Sequence, residues 1–233
     1  LGELAQVPIS LDADSHLVMR GPHLSYPISY TEENLEFLIP EMSALSRQEK
    51  FTIENGVVVA SEILNEFDGM AIKDPTILNH NGNSYCFFSE GKTANFVLHL
   101  WVDEDKMGGF KPHPASPICI SPGNARMGGN IVFTDGNLFR FGQCCRTVYG
   151  ESLAIMKIEI LSPTQYSESK IGSVVTDLGL GPHTLNFNLS SGQIAFDFFT
   201  FKFNIFAWIA RVSGIIRSYG TAGRRIKFGF GDE

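Results

Sequence analysis

Four stretches of this chain follow one pattern and align with one another. They are "HLSYPISYTEENLEFLIPE" from His23 to Glu41, "IKDPTILNHNGNSYCFFSE" from Ile72 to Glu90, "ARMGGNIVFTDGNLFRFGQ" from Ala125 to Gln143 and "GPHTLNFNLSSGQIAFDFF" from Gly181 to Phe199. Each has a polar or Gly/Pro entrance, an apolar run, a polar turn and a second apolar run, the pattern of two strands joined by a hairpin. Three of the turns carry "NGN", "DGN" or "SGQ", where glycine supplies the positive φ that a tight hairpin requires. With Tyr26, Asp74, Arg126 and His183 as equivalent entrance positions, the units recur after 48, 52 and 57 residues. Such a period lies inside the range that marks propellers and solenoids, and a blade of four strands needs about that much chain. Between the hairpins, "TIENGVVVASEIL", "ANFVLHLWVD" and "SLAIMKIEILS" would supply the outer strands of such blades. The proline-rich "KPHPASPICISPG" (Lys111 to Gly123) reads as a connection between blades, because closely spaced prolines do not sit in a central strand. A β-sandwich also produces hairpins at intervals.

In a propeller the innermost strands line a central channel, so entrance residues some fifty positions apart would face one pocket. Composition agrees with an all-β chain: 19 Phe and 23 Gly stand beside only 18% charged residues in 233, which favours strands and turns over helices. The net charge of -7, with no basic stripe, argues against nucleic acid as a partner. Cys86, Cys119, Cys144 and Cys145 form no CxxC pair. They read as buried thiols of a reducing compartment, hence a cytoplasmic location. No metal-ligand spacing, P-loop, GxSxG or GxGxxG is present, so neither a metal nor a cofactor is expected. The start "LGELAQVPIS" has no basic or apolar leader pattern. The apolar "FNIFAWIARVSGII" (Phe203 to Ile216) is short for a span of about 20 residues. It is expected as a packed C-terminal helix, membrane contact being the lesser expectation.

Several further strings run in order along the chain: "HLSYP", "IPE" with the following "SA", "KPHPASP", "GNARMGG", "DGNLFRFGQCC", "EILSPTQY" and "PHT". Through them the sequence resembles the propeller domain at the N-terminus of plant glucosamine inositolphosphorylceramide transferases and related bacterial proteins. The resemblance implies a propeller like the five-bladed one of glycoside hydrolase family 43, working beside a transferase module in a longer chain. About four blades would lie in residues 1–202, with the first blade largely missing, followed by a helix and tail over 203–233. The "DG" expected after the last hairpin instead reads Asp197-Phe198.

Glycosidases of that propeller type set carboxylates from different blades around the channel, two of them flanking the scissile bond. Asp74 in "KDP" and Glu41 after Pro40 are the candidate catalytic carboxylates, with Glu90 and Asp197 as weaker ones. Asp12 and Asp14 lie too far along to supply the base that the resemblance places in the first blade. His23, Tyr26, Arg126, Gln143, Tyr149 and His183 are the candidate substrate-binding groups. The guanidinium offers planar donors, the imidazoles suit hydroxyls, and buried amides and phenols need partners. Three functions remain in play. The first is a carbohydrate-recognising domain holding a sugar or nucleotide-sugar for a glycan-building enzyme. The second is a family 43-like glycosidase, and the third a protein-binding scaffold. Two carboxyl groups facing each other at about 5–10 Å would favour cleavage.

Overall fold

The computed structural model describes residues 2–6, 16–21, 24–32, 34–106, 109–189 and 192–199. His23 and the helix expected within 203–233 lie outside the described residues. Among the described residues regular structure is almost entirely antiparallel strand, with a few single-turn 3-10 helices. A hairpin of β1 (Gly2–Gln6) and β2 (His16–Gly21) comes first. The next sheet runs in sequence order through β3 (Ser25–Glu32), β4 (Leu35–Glu41), β5 (Glu49–Glu54) and β6 (Val57–Ile63). The second meander joins β7 (Ile72–His80), β8 (Asn83–Glu90) and β9 (Val97–Asp103). Its outer edge is made of β10 (Lys111–Pro112) and β11 (Cys119–Ile120), both paired with β9. The third sheet holds β12 (Val132–Thr134), β13 (Asn137–Cys144), β14 (Ser152–Leu161) and β15 (Tyr166–Val174). A fourth begins with β16 (Leu185–Asn188) and β17 (Gln193–Phe196).

All four hairpins fall where the repeat puts them. The tight turns at Asn81-Gly82 and Asp135-Gly136 have positive φ at both residues, the geometry whose twist matches that of the flanking strands. The proline-rich stretch differs from expectation. It supplies the outermost strand of the second sheet in two pieces, because an edge strand tolerates the missing N–H of Pro112 but cannot extend past repeated prolines.

The sheets are blades, because the apolar cores lie between consecutive sheets. On β8, Tyr85 and Phe87 pack toward the third sheet, in one cluster with Met127, Leu138 and Ile158. Cys86 and Phe88 pack toward the first, with Ile39, Leu64 and Phe67. Side chains on a strand alternate between faces, so a strand sandwiched between two blades is apolar throughout, and "YCFF" is. Val132, Phe141, Leu153 and Leu185 join the third sheet to the fourth. The inner strands also lock to one another. Asn130 donates through Nδ2 to Phe187 O (2.8 Å) and accepts from Phe187 N–H (2.9 Å), stitching the entry of β12 to β16. The fold is a β-propeller.

A buried ion pair sits between the second and third blades. Arg140 on β13 has no exposed surface; it grips both oxygens of Glu168 on β15 and donates to Asn124 O at 2.8 Å. Tyr166 donates its hydroxyl to the same carboxylate at 2.7 Å. All four cysteines are free thiols, but only Cys86 is fully buried. Cys119, Cys144 and Cys145 lie half-buried at strand ends and in connections. Among the described residues no helix is long and apolar enough to cross a membrane.

Candidate functional site

The entrances of the innermost strands β3 and β7 are irregular in the same way. In β3 the pairing with β4 slips between Ser25 and Ile28, and in β7 the pairing with β8 slips between Lys73 and Thr76. The extra residues are Tyr26-Pro27 and Asp74-Pro75. Tyr26 has φ 48° and Asp74 φ 50°, a left-handed conformation that costs a non-glycine residue roughly 1–3 kcal/mol and that a following proline disfavours further. A bulge re-aims its side chain. Here it brings both side chains onto the wall of one cavity of about 450 Å³.

That cavity collects the entrance positions of all four units: Tyr26, Asp74, Arg126 and His183, with Glu41 and Tyr149 beside them. Glu41 is buried at the end of β4. Its Oε1 accepts from Lys73 Nζ (2.7 Å) and Ser43 Oγ (2.8 Å), and its Oε2 accepts from the Asp74 backbone N–H (3.3 Å). Asp74 is also buried; its Oδ2 accepts from Arg126 Nε and from Gln143 Nε2 (3.2 Å). The guanidinium of Arg126 further donates to Asn95 Oδ1 (3.0 Å), comes within 3.9 Å of Glu41, and lies over the Tyr149 ring at 4.8 Å. One arginine therefore touches both candidate carboxylates, which places them together on one side of the cavity.

On another part of the wall, His183 Nδ1 pairs with the carboxylate of Asp197. The Asp197 Oδ1 also accepts the backbone N–H groups of His183 (3.1 Å) and Thr184 (2.8 Å). The imidazole is wedged between Tyr149 and Phe199, with ring centroids 5.4 and 5.1 Å away.

Two predicted residues do different work from that expected of them. Gln143 has no exposed surface and lies behind the wall, donating to Asp74 and to Met127 O (2.6 Å), so it positions a carboxylate. The Tyr26 ring lines the cavity, but its hydroxyl is engaged by the protein. It accepts from Gly129 N–H (2.6 Å), donates to Gly129 O (3.0 Å) and lies 3.2 Å from Thr76 Oγ1. Lys73, the counter-ion of Glu41, went unread in the sequence, although it adjoins Asp74 in "IKDP". Its partner lies 32 residues away. Glu90 closes β8 opposite Ile72 and is not on the cavity wall. Among the described residues no group of three or more His, Cys, Asp or Glu side chains is placed to hold a metal ion.

The two neighbouring carboxyls titrate in opposite directions. Burial works against ionisation of Glu41, but hydrogen bonds from Lys73 and Ser43 outweigh it and hold the group below its ordinary value. Burial pushes Asp74 up to about 6; Arg126 opposes the shift and the Glu41 charge adds to it. A carboxyl raised in the folded state stabilises the fold fully below its unfolded pKa of about 3.9, and that contribution is lost as pH rises through the folded value. Urea midpoints of wild type and Asp74→Asn, compared from about pH 3.5 to about pH 8, are expected to diverge accordingly. Wild type should lose stability relative to the variant between about pH 4 and 6 and hold a constant difference above about pH 7. A difference that does not change with pH would contradict the shift.

Residues 6–210 match the family described as "Glucosamine inositolphosphorylceramide transferase 1, N-terminal". The chain is 28% identical over 155 residues to glucosamine inositolphosphorylceramide transferase 1 of Arabidopsis thaliana, covering 64% of this chain and 20% of that protein. It is 27% identical over 226 residues to the protein of the same name from Oryza sativa subsp. japonica, covering 89% and 28%. The chain thus spans between a fifth and about a quarter of the length of these relatives. Among solved structures it is similar to an exo-β-1,3-galactanase from Clostridium thermocellum, with TM-score 0.49 and 12% identity over 72% of this chain and 36% of that one. It is also similar to the Cellvibrio cellulosa α-L-arabinanase complexed with arabinohexaose, with TM-score 0.44 and 15% identity over 70% and 65%. By the match that spans most of its length, the chain belongs to the family of the N-terminal domain of glucosamine inositolphosphorylceramide transferase 1.

Proposed function

We propose that this domain is a carbohydrate-recognising module of a longer glycosyltransferase chain, holding a sugar or nucleotide-sugar in the axial cavity without cleaving it. The observation that carries the reading is the state of the cavity's carboxylates. Glu41 is bound by Lys73 and Ser43, Asp74 by Arg126 and Gln143, and Asp197 by His183 and two backbone N–H groups. Hydrolysis of a glycosidic bond needs one carboxyl free to give a proton and a second facing it across the bond. Glu41 and Asp74 instead share a wall and a guanidinium. Binding needs only shape, fixed polar groups and some hydrophobic lining, and a cavity of about 450 Å³ falls in the range of small-molecule sites. The lengths of the relatives support a place beside a transferase module.

The test is a screen of glycans and nucleotide-sugars by calorimetry on wild type and Asp74→Ala, with release of reducing ends followed in parallel. The expected result is binding by wild type, weakened about tenfold or more in the variant because Arg126 loses its anchor, and no release by either. Equal binding by both proteins would remove the site assignment. Sugar release by wild type that the variant lacks would establish the glycosidase reading instead.

A further inference from the structure

The cavity's cations are already occupied. Among the described residues on its wall the Lys and Arg side chains are Lys73 and Arg126, and the carboxylates Glu41, Asp74 and Asp197 line the same cavity. Lys73 Nζ donates to Glu41 and to Ser43, both at 2.7 Å. Arg126 is committed at Nε to Asp74 and at Nη1 to Asn95, and its face covers Tyr149. A pyrophosphate or sugar phosphate entering here would meet only cations already paired with carboxylates and would stand against those buried carboxylates, an arrangement that disfavours anions.

A second cavity, of about 600 Å³, shares Pro27, Ile28 and Asn186 with the first. It extends along β3, the start of β12 and the hairpin of β16 and β17, past Ser29, Phe133, Phe187 and Ile194. None of the described residues that line it is charged; amide, hydroxyl, aliphatic and aromatic groups make the surface. Amides and hydroxyls match sugar hydroxyls, and aromatic and aliphatic groups match the apolar faces of sugar rings.

We infer that the two cavities form one cleft for an uncharged oligosaccharide of two or more units, and that phosphate-bearing sugars are excluded from it. The inference rests on the carbohydrate-recognising reading and narrows its ligand. The occupant is a glycan chain and not the nucleotide-sugar that the reading also allows.

Calorimetry on the full chain tests it with uncharged mono-, di- and trisaccharides of glucose, galactose, xylose and arabinose, beside UDP-glucose and glucose 1-phosphate. At least one trisaccharide is expected to bind about tenfold or more tightly than its monosaccharide, and tenfold or more tightly than either phosphate compound. Its affinity should change less than about twofold between 50 and 500 mM NaCl, because no ion pair is formed. In Ser29→Trp, which fills the second cavity from an exposed position on β3, the ratio of trisaccharide to monosaccharide affinity should fall close to one. Suppose instead that UDP-glucose binds more tightly than every uncharged sugar, with an affinity that falls steeply with salt and disappears in Lys73→Ala. The inference is then overturned while the broader reading stands. A trisaccharide no better than its monosaccharide, or unaffected by Ser29→Trp, overturns the extended cleft. Binding of no sugar of either kind overturns the inference and the reading together.

Discussion

Gly129→Ala is expected to yield no soluble, cooperatively folded protein. A Cβ built at residue 129 would lie 1.9 Å from the carbonyl oxygen of Leu185, which is backbone, and the residue has φ +134°. Neither partner has room to give: Leu185 opens β16 and is packed in the core between the third and fourth blades, and its N–H is tied to Gly128 O at 2.8 Å. The N–H and C=O of Gly129 are also both held by the Tyr26 hydroxyl. Clash, backbone strain and lost hydrogen bonds act at one position, so a destabilisation on the order of 4 kcal/mol or more is expected, at the far end of what single substitutions do. Gly136→Ala is the control. Gly136 also has positive φ, but nothing lies within 4 Å of the added Cβ, so it should lose only about 1 kcal/mol of backbone preference. Soluble yield and urea midpoints of the two variants settle the comparison, and equal behaviour would refute the close-approach argument.

Arg140→Met is the second substitution expected to be severe. It leaves Glu168, 8% exposed, facing the core between two blades with only the Tyr166 hydroxyl and without its cation. Removing one partner of a buried ion pair costs about 3–5 kcal/mol, because the remaining charge is stranded in a low-dielectric site. The double variant Arg140→Met with Glu168→Leu is expected to recover most of that loss, since well-packed apolar residues replace a buried pair at little net cost. Urea unfolding of both single variants and the double one gives the coupling directly. A double variant no more stable than Arg140→Met would mean that the pair's hydrogen bonds, including the one to Asn124 O, outweigh the stranded charge.

The parts of this molecule that were legible in the sequence are those with a period. Alternation of apolar residues around polar turns, three of them with glycine, located four hairpins, and their fifty-residue recurrence identified the blades. The recurrence also brought Tyr26, Asp74, Arg126 and His183 to one cavity, because equivalent positions of a rotational repeat face the same axis. What was not legible is pairing. Nothing in the string "KDP" says that Lys73 will meet Glu41, that Gln143 will stand behind Asp74, or that the Tyr26 hydroxyl will be taken up by Gly129. Those contacts join residues 32, 69 and 103 positions apart, and local pattern carries no information at such distances. The proline-rich edge was misread for a related reason. Proline forbids a central strand, yet whether a short edge pairing survives depends on β9 lying alongside.

The Tyr26 hydroxyl bridges the first blade to Thr76 in the second and to Gly129 at the entry of the third, across separations of 50 and 103 residues. Contacts so distant along the chain form late, because the entropy of closing the intervening loop must be met before the contact returns anything. Each blade meander is local and can assemble on its own timescale, whereas the axial cavity exists only after the blades have docked. A nascent chain would therefore acquire its strands early and its capacity to bind last, so that ligand binding reports completed blade assembly and can draw the final docking step forward by mass action.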